Sequence, residues 1–327
     1  MNPRTISDAR SSLRRIGGLL PLLCALLLAA CRNDIPPPAA PVSTNAAPPV
    51  QQAPPAALDA QSTVKKMNAY TEGFNKLSDS FGLRDTMKRY FDVNVPARSA
   101  KDDIGVGAGW IAQAVPALKQ GRAIKAADTE ALDAQADTLI EAIDRLVSLM
   151  REIEPYFTSK AYKTDNLAKG MAQDILIRQA FKDSHDAYEA FEKGLEEVHR
   201  RSVDAEIAAL NAQGNRKMYA ARLGMQQAKD VIGSFNDGAS LRNADSYAKA
   251  DRLVSGLEST LTLQREVEKT LPENAIRINY RQLTDSLTTM VGEYRSLKES
   301  RDAARFNQMV RHFNVAVGAV NALNEGD

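Results

Sequence analysis

The chain of 327 residues has only two cysteines, and both lie close to its N-terminus. They are Cys24 and Cys31, and no thiol follows from Arg32 onward. This absence excludes a disulfide, a thiolate zinc site and a cysteine nucleophile from residues 32–327. Any fold in that part of the chain is therefore held together by its core alone.

Motifs that would carry catalysis or metal binding are also missing. The three histidines, His185, His199 and His312, show no His-Glu-x-x-His spacing or comparable metal pattern. His185 stands four residues before Glu189, which is typical of pairing on a helix surface, and we interpret His199 in the same way. No Gly-x-Ser-x-Gly, Walker loop or strand-borne Gly-x-Gly-x-x-Gly occurs. We therefore predict no catalytic residue, no metal and no cofactor.

The chain also lacks an excess of charge of either sign. Its 42 basic residues are balanced by 41 acidic ones, which gives a net charge of +1. Nucleic-acid-binding domains concentrate Lys and Arg on one face and are strongly basic. We therefore do not expect a nucleic acid as partner.

The first 30 residues have the pattern of a signal peptide. Four arginines and one acid precede an apolar run from Ile16 to Ala30. The run has about 15 residues, which suits a signal peptide and falls short of the ~20 that a membrane-spanning helix needs. We predict that residues 1–30 are cleaved off, and an uncleaved membrane anchor is the alternative.

The run ends in Leu28-Ala29-Ala30-Cys31, which resembles a bacterial lipobox. The resemblance implies that Leu28, Ala29 and Ala30 are read by the signal peptidase and that Cys31 carries the lipid. It also implies several acyl chains on one cysteine, and hence stable anchoring to the membrane. Arg32 stands where an aspartate would favour the inner membrane. We therefore predict a lipoprotein of the outer membrane that faces the periplasm.

Residues 32–57 are rich in proline and alanine and contain no aromatic residue. The prolines are Pro36, Pro37, Pro38, Pro41, Pro48, Pro49, Pro54 and Pro55. This composition cannot bury enough apolar surface to fold, and it favours extended polyproline conformations. We predict that residues 31–57 form the lipidated cysteine and a disordered tether, and that residues 58–327 form the folded domain.

The pattern of residues 58–327 predicts an all-α fold, an elongated antiparallel helix bundle. Apolar residues recur at spacings of three and four, and the clearest such seam consists of Leu132, Ala136, Leu139, Ile143, Leu146, Met150 and Ile153. Pro155 ends the predicted helix that carries this seam. The other predicted helices run from about Asp59 to Phe91, over 165–213, over 216–235, from a cap at Asn243 or Asp245, and over 279–323 with a break near 300–302.

The pattern of residues 104–120 is ambiguous. Apolar positions are present, but Gly105, Gly107, Gly109 and Pro116 weaken a helix. We predict a short, kinked helix that packs across the bundle. Trp110, the single tryptophan of the chain, is interpreted as a core residue or a plug at the end of the bundle, and a ligand-stacking surface is the alternative.

The segment after Pro155 is rich in aromatic residues. Asp165 is predicted to cap the next helix, and Gly170 to permit close approach between helices. A candidate surface for a partner or ligand consists of Tyr156, Phe157, Tyr162, Lys163, Asp165 and Lys169. The alternative is a helix–helix corner in which the aromatic side chains fasten the turn to the bundle.

Several short stretches resemble the YiiG-type bacterial lipoproteins. They are Met67-x-x-Tyr70 with Phe74-Asn75-Lys76-Leu77, then Tyr156-Phe157-Thr158, Tyr162-Lys163, Asp165 and Ala168-Lys169-Gly170, and more loosely Phe313-Asn314. The resemblance implies an all-helical lipoprotein domain whose molecular function is not established. It supplies no catalytic or binding residue.

Together these features predict a membrane-anchored lipoprotein that acts by binding. The predicted partners are the membrane, through the N-terminal lipid, and an envelope protein or a component of the cell wall. An envelope hydrolase and a small-ligand carrier with a cavity between helices are the alternatives.

Overall fold

The computed structural model describes residues 55–235 and 238–324. Over these residues the chain is helical and contains no strand, so the predicted all-α class is confirmed. The predicted signal peptide, the lipobox and the tether up to residue 54 lie outside the described residues, as does the predicted turn at Asn236-Asp237. Within them, no helix has the length and apolar character needed to cross a bilayer.

The described part falls into two compact units, which we call the N-terminal unit (55–198) and the C-terminal unit (199–235 and 238–324). The helices of the N-terminal unit are α1 Pro55–Ser78, α2 Leu83–Val93, α3 Val115–Ala123, α4 Glu130–Thr158 and α5 Ala168–Ala212, the last of which continues into the C-terminal unit. There it is followed by α6 Arg216–Ile232, α7 Ala244–Thr270, α8 Ala275–Ser300 and α9 Ala303–Asn324.

The seam of α4 forms the centre of the N-terminal unit. All seven of its predicted apolar residues are buried, which confirms the prediction from their spacing. Helix α1 packs on α3, and α3 packs on α4. Glycines allow the first of these contacts, because a Cβ at Gly121 would lie 2.4 Å from the ring of Tyr70, and one at Gly73 would lie 2.7 Å from the side chain of Leu118.

Helices α6 to α9 of the C-terminal unit surround a core of their own. Phe235, Tyr247, Tyr294 and Phe306 are buried in it, and their rings are in contact. The predicted cap at Asn243 is confirmed, since its side-chain oxygen accepts a hydrogen bond from the N–H of Asp245 at 2.9 Å. The predicted break near 300–302 is confirmed as well, because Arg301 adopts a left-handed conformation with φ of 53°.

The single helix predicted from Asp59 to Phe91 is wrong. A turn separates α1 from α2, and Phe81 adopts a left-handed conformation there with φ of 71°. Gly82 permits the turn, because a Cβ at this residue would lie 2.2 Å from the carbonyl oxygen of Leu77. The apolar spacing continues through the turn, so it hid the break.

Two further helix boundaries differ from the prediction. Residues 104–110 are not helical. Pro116 lies in the first turn of α3, where a backbone N–H has no acceptor within the helix, so proline costs no hydrogen bond there. Pro155 does not end α4, which continues to Thr158. Because Pro155 removes only one backbone hydrogen bond in the last turn of a long helix, burial of the next two residues, Tyr156 and Phe157, outweighs that loss.

Candidate functional site

The six residues of the predicted surface after Pro155 come together at the corner between α4 and α5. Tyr156, Phe157 and Tyr162 are buried there, and their rings contact one another with centroids 5.1 to 6.3 Å apart. Gly170 brings α5 close, since a Cβ at this residue would lie 3.2 Å from the ring of Phe157. The three aromatic side chains therefore hold the corner together from inside.

The charged members of the same set lie on the outside of the corner. Asp165 accepts hydrogen bonds from the Tyr156 hydroxyl at 2.7 Å and from the N–H of Lys169 at 3.1 Å, which confirms the predicted cap of α5. The bond from Tyr156 holds the pKa of the Asp165 carboxyl below its usual range. Burial, with this bond, raises the pKa of Tyr156 to about 12. Lys163 is exposed.

Trp110 is not the core plug that its apolar surroundings predicted. Its side chain is 60% exposed, and it stands beside Phe81, which is 46% exposed. The two ring centroids are 5.4 Å apart and the ring planes are tilted by 38°. We call this pair the aromatic platform. Residues 104–110 are not helical, so they carry Trp110 to the surface instead of into the bundle.

The backbone below the aromatic platform is fixed by several hydrogen bonds. The carbonyl of Phe81 accepts one from the N–H of Trp110 at 3.4 Å and another from the Thr86 hydroxyl at 3.1 Å. The N–H of Phe81 donates to the Asp85 carboxylate at 3.2 Å. Gly109 has φ of 60°, and a Cβ there would lie 2.6 Å from the Thr86 hydroxyl oxygen. The exposed rings thus stand on a built support.

A cation borders the platform on the side of α2. The Arg89 guanidinium lies 4.6 Å from the centroid of the Phe81 ring, and it also pairs with the Asp85 carboxylate at 3.2 Å. Cation–π contacts of this kind favour a fixed position for both groups. Two aromatic faces with a polar rim can bind an apolar group that also carries hydrogen-bond acceptors.

A buried ion cluster joins α1 to α4 in the same unit. The Lys66 ammonium, 1% exposed, donates to the Asp133 carboxylate at 2.6 Å and to the carbonyl of Ile124 at 2.8 Å. Tyr70 donates its hydroxyl hydrogen to the other carboxylate oxygen at 2.5 Å. Burial and this carboxylate raise the pKa of the Tyr70 hydroxyl well above its usual range. The cluster is satisfied internally, so we assign it to stability.

An open groove of about 450 Å³ lies between α3 and α4. It is lined by Lys119, Arg122, Asp137, Ile140, Glu141 and Asp144. Its two bases are already paired, Lys119 with Asp144 at 3.1 Å and Arg122 with Asp137 at 2.9 Å. Because both basic side chains are already paired, neither offers a free positive charge to a ligand.

The C-terminal unit contains a smaller polar cavity between α5 and α6. The Arg222 guanidinium, 4% exposed, lies 2.8 Å from the Glu206 carboxylate, and a cavity of about 20 Å³ beside them has room for about one water. His199 is also buried, so surface pairing was the wrong interpretation of this residue. Burial, and then the charge of Lys229, lower its pKa to about 4.

The predicted pairing of His185 is confirmed, since its Nε2 lies 3.5 Å from the Glu189 carboxylate. Across residues 61–235 and 238–323, whose side chains the structure describes, no group of three or more His, Cys, Asp and Glu side chains could hold a metal ion.

Comparison with known proteins gives one finding. A family model described as "Protein of unknown function (DUF3829)" matches residues 61–301. The chain belongs to this family. The matched range begins in α1 and ends just after α8, so it covers nearly all of the N-terminal unit and the C-terminal unit as far as α8, whereas α9 lies beyond it. Neither the search of curated proteins nor that of solved structures found a match.

Sequence reasoning missed two features of the aromatic platform. It placed Phe81 inside a helix, and it interpreted Trp110 as a core residue. The signal for both was in the glycines, because Gly82 follows Phe81 directly and Gly109 precedes Trp110. Glycine beside an aromatic residue at the edge of a helical pattern marks a turn. The glycines did not indicate, however, that these two turns lie next to each other in the folded protein.

Proposed function

We propose that the protein is a lipid-anchored binding module of the bacterial cell envelope. Two observations on the sequence support the anchor: the segment Leu28-Ala29-Ala30-Cys31, and the resemblance to the YiiG-type lipoproteins. This resemblance names a narrower group of proteins than the family match does. Arg32 after the cysteine favours the outer membrane, with the folded part in the periplasm. The proline-rich tether then links the lipid to the helices.

The observation that carries the binding role is the aromatic platform. Single exposed apolar residues are common on protein surfaces, whereas the platform combines two adjacent exposed aromatic rings on a hydrogen-bonded support. Phe81 accepts the strain of a left-handed conformation, which for a bulky residue costs of order 1–3 kcal/mol. The surrounding hydrogen bonds to Asp85 and Thr86 hold Phe81 in this conformation, and strained residues of this kind cluster at functional sites. The platform is therefore the contact surface that we assign to the partner.

An envelope hydrolase and a small-ligand carrier receive less support. The groove between α3 and α4 is open, and its bases are paired with its acids. The cavity beside Arg222 is about 20 Å³, which is far below the volume of a ligand pocket. Neither site favours these alternatives over binding at the surface.

The test of the binding role is a photo-crosslinking amino acid placed at Trp110 in the full-length protein in intact cells. Ile278 is the matched control, since it is an apolar residue of the C-terminal unit with 65% exposure. We expect a discrete adduct from the variant at Trp110 that the variant at Ile278 does not give. The same adducts from both positions, or none from Trp110, would overturn the proposal.

The anchor has a separate test. In Cys31→Ser we expect an uncleaved precursor that does not incorporate radiolabelled palmitate. Cys24→Ser is the matched control, because this cysteine lies within the predicted signal peptide, and it is expected to keep both cleavage and label. Palmitate incorporated into Cys31→Ser would refute the lipid anchor without touching the role of the platform.

A further inference from the structure

The aromatic platform has the chemistry of a site for proline-rich segments, and this chain carries such a segment itself. We propose that the platform formed by Phe81 and Trp110 binds a polyproline segment, and that its occupant is Pro36–Pro41 of the chain's own tether. The contact is intramolecular. The docked tether is then a competitor that the partner of the binding role proposed above must displace.

The rings suit this ligand for three reasons. Proline rings pack flat on aromatic faces, and domains that recognise polyproline line their grooves with aromatic side chains. The two rings, whose centroids are 5.4 Å apart and whose planes are tilted by 38°, together present an apolar aromatic surface. A polyproline helix has no internal hydrogen bonds, so its carbonyls are free to accept hydrogen bonds from donors beside the rings, such as the indole N–H of Trp110 and the Arg89 guanidinium.

The prolines of the tether are spaced so that two of them lie on one side of a polyproline helix. Polyproline helices have three residues per turn, so residues three apart face the same side. In Pro36-Pro37-Pro38-Ala39-Ala40-Pro41, the residues Pro38 and Pro41 have that spacing. Two alanines stand between them, so no large side chain obstructs the approach.

The length of the chain selects this segment over the other prolines. Helix α1 has 24 residues and the platform follows its C-terminal end, so the tether must run back about 36 Å from Pro55. Pro48 and Pro49 are six or seven residues from Pro55 and reach only about 20 Å in a polyproline conformation. Pro38 reaches about 50 Å on the same basis. Only the earlier prolines span the distance.

The linkage makes even a weak contact effective. A segment joined to its site by a short linker acts at an effective concentration of order mM. An affinity in that range, too weak to matter between separate molecules, keeps a large fraction of the platform covered. A partner of higher affinity then displaces the tether.

One consequence rests on the lipid anchor proposed above. Cys31 stands five residues before Pro36, so a docked tether leaves about 15 Å of chain between the lipid and the platform. An undocked tether leaves about 70 Å between the lipid and the start of α1. Docking would hold the N-terminal unit near the membrane, and displacement by a partner would release it.

The test uses the fluorescence of Trp110, the only tryptophan of the chain. It is made on the unlipidated chain of residues 32–327, so that it does not depend on the anchor. The variant carries Pro36→Ala, Pro38→Ala and Pro41→Ala, and the matched control carries Pro48→Ala and Pro49→Ala at unchanged length. We expect emission at longer wavelength and about twofold faster acrylamide quenching in the variant, with the control equal to the parent.

The outcomes separate the possibilities. Equal quenching in all three proteins, or equal loss of protection in variant and control, would overturn the proposal. Protection that disappears on dilution would show that the tether of a second copy is the occupant, which also overturns it. A synthetic peptide of residues 32–45 should restore protection to the variant at mM concentration. Crosslinking at Trp110 in cells can still succeed if docking fails, so the two proposals fall separately.

Discussion

His199 is a titratable residue whose environment opposes its charged form. It lies in the part of α5 that belongs to the C-terminal unit, and no group among the described residues accepts or donates at its Nε2. Burial and the nearby Lys229 lower its pKa to about 4, from the usual 6.5. Histidine is therefore neutral in the folded protein at a pH where it is already charged in the unfolded chain.

This difference predicts a loss of stability in mild acid. The contribution of His199 is complete above the unfolded pKa of 6.5, and it falls as the pH decreases towards the folded pKa of about 4. The full loss is of order 3 kcal/mol. In His199→Asn, the melting temperature should fall less between about pH 7 and pH 4.5 than in the parent.

The matched control for this prediction is His312→Asn, since His312 lies partly exposed on α9. Its melting temperature should follow that of the parent through the same pH range. Acid also protonates carboxylates, and only the difference between the two variants isolates His199. An identical pH dependence in His199→Asn and the parent would show that burial does not lower the pKa of His199.

The ion pair of Lys66 and Asp133 predicts a strong coupling between two residues. Lys66→Met leaves a carboxylate that is 15% exposed without its main cation, so it should cost about 3–5 kcal/mol. Adding Asp133→Asn removes the unpaired charge and keeps an acceptor for the Tyr70 hydroxyl, so at least half of the loss should return. Urea unfolding of the parent, both single variants and the double variant measures the coupling. Additive losses would contradict it.

At the scale of the helices, close packing of α1 on α3 depends on the absence of a side chain at Gly121. An added methyl group would lie 2.4 Å from the Tyr70 ring, whose hydroxyl is fixed by Asp133. The ring cannot move away without breaking that bond. Gly121→Ala should therefore lower the free energy of unfolding by about 1–3 kcal/mol, as overpacking does.

The same substitution in α8 should have the opposite sign. Gly292 is exposed, and no atom beyond its chain neighbours and the nearby backbone of its own helix lies within 4 Å of a Cβ built there. Replacing glycine by alanine within an exposed helix stabilises it by about 0.5–1 kcal/mol. Thermal unfolding of both variants tests the pair. If Gly121→Ala also stabilises, the contact between α1 and α3 is looser than the structure shows.

The sequence predicted helices far better than it predicted turns, for a physical reason. The seam from Leu132 to Ile153 is a local pattern that burial on one face imposes, and the cap at Asn243 is a local hydrogen bond. The turn at Phe81 depends instead on bonds to Thr86 and Asp85 together with the contact to Trp110. Contacts between distant segments do not appear in the spacing of residues along one segment.

The candidate site was harder to predict than the fold for the same reason. Pro155 and three aromatic residues at the corner were conspicuous in sequence, and they proved to be buried. The exposed pair of Phe81 and Trp110 comes from segments about 30 residues apart, each of which seemed to belong to a helix. Exposure is a property of the assembled unit, and apolar residues in a helical pattern predict its opposite.

At the scale of the whole molecule, the single domain predicted for residues 58–327 consists of two compact units in its described part. Each has its own core. That of the N-terminal unit is built around α4, and that of the C-terminal unit is built from α6 to α9. Helix α5 is continuous between Val198 and His199, where the units meet along the chain. A periodic helical sequence gives no sign of such a division.

Separate cores predict that core substitutions act mainly on their own unit. Leu146 and Leu287 are both fully buried, one in each unit, and replacing either by alanine should cost about 2–5 kcal/mol. Trp110 fluorescence reports only on the N-terminal unit, whereas far-UV circular dichroism reports on the helices of both. In urea, Leu146→Ala should lower the midpoint of the fluorescence transition. Leu287→Ala should lower the midpoint of part of the dichroism change and shift the fluorescence midpoint less. Equal shifts of both signals in both variants would mean that the two units unfold as one cooperative body, with α5 transmitting the loss from one core to the other.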